Sequence, residues 1–161
     1  MPTWATFAVG GAELLHVQAH GERGHWQSFE GGASALAAAG ERLLTQPPAG
    51  IALLATVART GVPRVHPFMP RVVDGALVAF LEGRSPKLHD VLAGRPCAIH
   101  SAPAAEDEEF WVRGYAQRVA DASRVARALA TMSWAKPEFE VLVEFELFQA
   151  GWTQWVDFGT P

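Results

Sequence analysis

The segment EGRSPKLHDVL, residues 82–92, places Arg84, Ser85 and Lys87 within one turn of an expected helix start. A phosphate needs positive charge and fixed N–H donors, and the first turn of a helix offers unpaired donors with a favourable dipole. Ser85 can cap the helix or face a phosphate, and Lys87 can reach an oxygen as a point charge. An ordinary capped helix with solvated basic residues would carry the same pattern. Upstream, period-two alternation puts Arg64, His66 and Phe68 on one strand face and Val65 and Met69 on the other, which is the expected core face. A cation, an imidazole and an aromatic ring in a row suit an anionic, planar ligand. Arg71 follows nearby, with its facing left open by the surrounding prolines.

Other candidates carry less. His16 and His20 have the i,i+4 spacing that binds zinc on a helix, but their region shows no helical pattern, and no metal site is assigned. Cys97 is the only cysteine, so neither an intrachain disulfide nor a cysteine cluster can form. Trp111, Trp152 and Trp155 could stack on a planar ligand. Large aromatics more often fill cores and interfaces, and Trp111 is expected in the core.

The elements that must position these residues alternate short apolar runs with turn signals. ASALAAAGERLLT (33–45) reads as a helix despite Gly40, stopped by Pro47-Pro48 and Gly50. IALLATVAR (51–59), VPRVHPFMPRVV (62–73) and ALVAFLE (76–82) read as an antiparallel meander joined at Thr60-Gly61 and Asp74-Gly75. Pro63, Pro67 and Pro70 make the middle strand bulged or an edge. Ser85-Pro86 opens a short helix ended by Gly94, and PCAIHSA (96–102) is a strand. APAAEDEEF is an acidic loop, FWVRGYAQRV (110–119) a strand bent at Gly114, and Asp121 caps a helix running through Ala130. VLVEFELFQ (141–149) is a last long strand, and the aromatic tail after it is expected to pack on a neighbour. Residues 1–32 show no sustained period and are set apart as an N-terminal extension or insertion.

The 161 residues suit one domain, with 49% hydrophobic and 19% charged residues, which excludes a disordered chain. A net charge of −4 disfavours nucleic acid as a partner. There is no signal-like start and no apolar run of about 20 residues, so a cytoplasmic protein without a membrane span is expected. About six strands with short helices point to a mainly β, small closed or split barrel.

The strand pair LATVARTGVPRVHPF, the return DGALVAFLE and the S-x-K helix start together resemble the pyridoxamine 5′-phosphate oxidase-like split-barrel family, and FELFQAG resembles its closing strand. The resemblance covers residues 33–158 and implies a six-stranded antiparallel barrel of Greek-key type. It further implies a homodimer holding FMN between its two barrels. By position, it assigns Ser85 and Lys87 to the phosphate, with Arg64, His66, Pro67, Phe68 and Arg84 nearby and Phe80 and Leu81 beside the flavin. His66 stands where the family often has an arginine, and Arg71 where the oxidases have a lysine for the substrate phosphate. Glu109, Trp111, Phe148, Gln149 and Trp152 fall where substrate or the partner subunit approaches. Gln154 and Val156 replace the oxidases' R-x-H pair, which speaks against pyridoxamine phosphate oxidation itself. The implied function is hydride transfer on FMN to or from a small molecule. The alternatives are a deazaflavin-dependent reductase and a non-catalytic flavin- or haem-binding protein.

Overall fold

The computed structural model describes residues 5–11, 14–45, 50–102 and 107–155. Pro47-Pro48, part of the acidic loop, Val156 and the end of the tail lie outside the described residues.

Apolar residues alternate through β3 (Ala52–Val57), which buries Ala52, Leu54 and Thr56. It pairs with β4 (Pro63–Phe68) on one edge and β7 (Cys97–Ser101) on the other. The expected second strand is broken at Pro70 into β4 and β5 (Arg71–Val73). A short hairpin then joins β5 to β6 (Ala76–Glu82). Asp74 and Gly75, at φ 51 and 72, supply the two positive angles that this turn requires.

β8 (Glu108–Arg118) starts inside the segment read as an acidic loop, and its register shifts at Gly114 as expected of a bulge. β9 (Glu140–Trp155) is far longer than expected, because the strand continues through the start of the aromatic tail as far as Trp155. One edge of β9 follows β8 throughout. The other pairs first with β6 and then with β2 (Leu14–Gly24). With β4 and β5 counted as one broken strand, six strands run β5-β6-β9-β8-β7-β3-β4 around a barrel. β1 (Ala5–Gly11) and β2 form a hairpin that widens the sheet beyond β9. Sequence periodicity had left this region without structure.

Helices plug the barrel. α1 (Trp26–Gly32) and α2 (Ser34–Thr45) deliver Trp26, Phe29, Leu36, Leu43 and Leu44 to a core shared with Leu54, Phe68, Phe110 and Phe145. Gly40 has a reason to interrupt the alanine-rich helix, since a Cβ there would lie 2.4 Å from the Phe110 ring. α3 (Pro86–Leu92) is capped by Ser85 and α4 (Ala122–Thr131) by Asp121. α4 covers a smaller cluster of Val78, Val119, Ala128, Met132 and Leu142, with Val125 partly buried beside it. Among the described residues, no helix is long and apolar enough to cross a membrane.

Candidate functional site

The face assignment along β4 is reversed from expectation. Arg64, His66 and Phe68 do share a face, but it is the one turned toward α3 and the core. Phe68 is 6% exposed, while Val65 is 63% exposed on the outside. The polar residues of β4 stand on its inner face, where Arg64 is paired with the buried Asp90, so polarity alone points this strand the wrong way. Met69, also expected in the core, is half-buried.

On the inner side, Asp90 of α3 is buried and accepts from Thr56 Oγ1 at 2.9 Å and from Arg64 Nη1 at 3.0 Å. Arg64 is thereby a brace between β4 and α3. Ser85 is similarly engaged, with its hydroxyl donating to the Glu82 carbonyl at 2.7 Å and accepting from Leu88 N at 3.4 Å. Lys87 reaches back over the β4 edge, and its ammonium donates to the Pro67 carbonyl at 2.9 Å. Burial holds that ammonium below the usual lysine value, against the pull of Glu140 and Glu82. Beside it, His66 Nε2 is buried without a hydrogen-bond partner. Burial also holds this imidazole below its ordinary value, assisted by Lys87 and Arg64 and opposed by Asp90. The Lys87 ammonium at the β4 edge can meet a phosphate oxygen, whereas the His66 ring faces inward opposite the buried Leu54.

The other expected residues spread more widely. Arg84 is exposed on the turn before α3. Leu81 is 1% exposed inside the main core, and Phe80 packs with the α4 cluster, so neither opens onto the surface around Lys87. Arg71 donates to the Pro70 and Gly50 carbonyls and stacks on Trp134 at 4.7 Å. Trp152 faces inward and donates to the buried carboxylate of Glu108 at 3.1 Å. Glu108 also pairs with Arg42. His16 and His20 lie on the strand β2 and not on a helix, so the helical meaning of their i,i+4 spacing does not apply.

Trp111 is not a core residue. It is half-buried on the outer face, its indole laid against Gly151, where a Cβ would come within 2.4 Å of the ring. Arg113 flanks the ring at 4.9 Å and donates to Gln149 at 3.0 Å. Glu109 pairs with His100 at 3.2 Å, and the other ring nitrogen of His100 lies 2.8 Å from the Ser101 carbonyl. These groups edge an open groove of about 560 Å³ floored by Leu53, Ala55, Val65 and Ala98. A second hollow past Ala55 and Ala98 extends it to Phe148.

One cross-strand row connects the two regions. Pro67 faces Leu53, Leu53 faces His100, and His100 faces Trp111. From β4 to β8 this row spans roughly 14 Å, three inter-strand spacings. Sequence reasoning missed Leu53, Ala98, His100, Arg113 and Gly151. The unexplained glycine in a strand was the available signal, since it marks close approach of another group.

Comparison of the sequence with protein-family models and with curated proteins finds no match. Solved structures share the fold at low identity. The heme storage protein HutZ of Vibrio cholerae aligns with a TM-score of 0.55 and 13% identity, over 63% of this chain and 83% of that one. An FAD binding protein from Mycobacterium smegmatis aligns with a TM-score of 0.58 and 15% identity, over 76% and 97%. A candidate pyridoxamine 5′-phosphate oxidase from Lactobacillus delbrueckii aligns with a TM-score of 0.50 and 18% identity, over 62% and 82%. The architecture is the split barrel that these proteins share.

Proposed function

We propose that the chain binds a flavin phosphate such as FMN across the outer face of its sheet, and that a second copy of the chain covers that face. The observation that carries this reading is the row from Pro67 to Trp111. Lys87, bonded to the Pro67 carbonyl, stands at one end of it, and a flat indole stands at the other. Lys87 would hold the phosphate, Leu53 and Ala55 would exclude water beneath the linker, and Trp111 with Arg113 would seat the ring. The bound flavin would supply hydride transfer, and the protein would supply position and a dry face. The split-barrel structures named for FAD and for a pyridoxamine 5′-phosphate oxidase support a flavin as the ligand class. A deazaflavin with a longer anionic tail is favoured less, because Arg64 and Arg71 already serve structural partners.

The test is titration with FMN and riboflavin by calorimetry. Lys87→Ala should weaken FMN by about 1.5–3 kcal/mol, the range for one charged hydrogen bond, and leave riboflavin unchanged. Equal losses for the two ligands would remove the phosphate role.

Heme is a second reading, favoured by His100. Its Nδ1 lies against a carbonyl, the second partner that metal-binding imidazoles use, and its Nε2, on the groove, meets the Glu109 carboxylate that a metal would displace. The HutZ likeness adds weight. A Soret band that shifts in His100→Ala would favour it over flavin.

A further inference from the structure

Lys87 stands between two hollows. On one side is Pro67, whose carbonyl accepts from the Lys87 ammonium at the start of the row described above. On the other are Glu82 and Glu140, the two carboxylates whose charge it feels. Both belong to a separate groove of about 570 Å³, completed by Gly83, Arg84, Lys136 and Phe139, with Glu138 on its rim. Its size falls within the range of small-molecule sites.

Its chemistry is specific. Phe139 is 65% exposed, yet its backbone is fixed, because its carbonyl accepts from Gly83 N at 2.7 Å and its N–H donates to the Lys136 carbonyl at 2.9 Å. The Glu140 carboxylate accepts from Lys136 N at 2.6 Å, which further secures the turn. A large aromatic held on a rigid turn in water is a stacking platform without a partner. Arg84 and Lys136 bring two cations to the same hollow, and the carboxylates of Glu82 and Glu138 are acceptors for hydroxyl groups. Cation, acceptor and exposed ring together match a nucleotide: a phosphate, a ribose and a base.

We propose, building on the flavin reading above, that this groove receives the adenylate half of a flavin dinucleotide. The diphosphate would straddle Lys87, with its second phosphate at Arg84. The ribose hydroxyls would donate to the carboxylates, and adenine would lie on Phe139. FMN ends at Lys87 and leaves this groove unused. The adenylate is what the 82–84 and 136–140 segments are shaped to select.

Calorimetric titration of the full chain with FAD, FMN and riboflavin decides it. FAD should bind about tenfold more tightly than FMN, in keeping with one base–aromatic stack. Phe139→Ala should erase that margin and leave FMN affinity unchanged, while Phe139→Trp should keep it. Since Phe139 is exposed, these variants should fold, which thermal melting checks. FMN and FAD binding equally to the unaltered chain, or Phe139→Ala weakening both alike, would overturn the adenylate site and leave the flavin reading standing. If neither FMN nor riboflavin binds, the flavin reading falls and takes this one with it.

Discussion

His66 is neutral for a reason that has measurable consequences. Burial is the main cause of its lowered value, with Lys87 and Arg64 adding to it. For a base, a lowered folded-state value means that the unfolded chain binds more protons over the intervening window. Stability therefore rises with pH there, and is lost as pH falls from the ordinary histidine value of 6.5 through the folded one. Chemical denaturation between pH 7 and pH 5 should show this slope, and His66→Gln should flatten it. Cys97 behaves differently, since burial pushes its thiol up to about 12. Alkylation at pH 8 should be slow in the native protein and fast in denaturant, because only the thiolate reacts. The types of these residues were legible in the sequence. Their partners were not, because Asp90, Thr56 and Arg64 come from three elements that only the barrel brings together.

At the scale of elements, local chemistry was the readable part. The Ser85 and Asp121 caps, the Asp74-Gly75 turn and the Gly114 bulge all stand where their residue types place them. What local chemistry could not give was the direction in which strands face. β4 carries Arg64 and His66 on the face of Phe68, so polarity points Val65 inward and Phe68 outward, the reverse of the structure, where the buried Asp90 meets Arg64. The β1–β2 hairpin escaped notice because its glycines and mixed residues set up no alternation. Gly151 tests the outer-face platform directly. A methyl there collides with the Trp111 ring, so Gly151→Ala should displace the indole, alter its fluorescence and weaken flavin binding. Gly114→Ala is harsher. Its Cβ would sit 2.3 Å from the Glu146 carbonyl oxygen, a backbone atom that cannot swing away. It should cost more stability than the 1–3 kcal/mol typical of an overpacked core, roughly judged, as read by urea unfolding.

At the scale of the molecule, the outer face of β4-β3-β7-β8 carries Val65 at 63% exposure alongside Leu53, Ala55 and Ala98. Contiguous apolar surface of this sort marks an interaction site. If a second copy covers it, Val65→Glu should shift sedimentation from dimer to monomer while leaving the circular dichroism spectrum intact. Flavin affinity should fall with it. β9 sets a different constraint. It joins β6, β8 and β2, and pairs Leu14 with Trp155 across nearly the whole described chain. Such distant pairing is slow to form. During synthesis, β2, β6 and β8 therefore each keep one edge unsatisfied until residues 140–155 emerge. Nascent chains in that interval are open to sticking to one another, so the yield of folded protein should depend on chaperones that shield strand edges until β9 arrives.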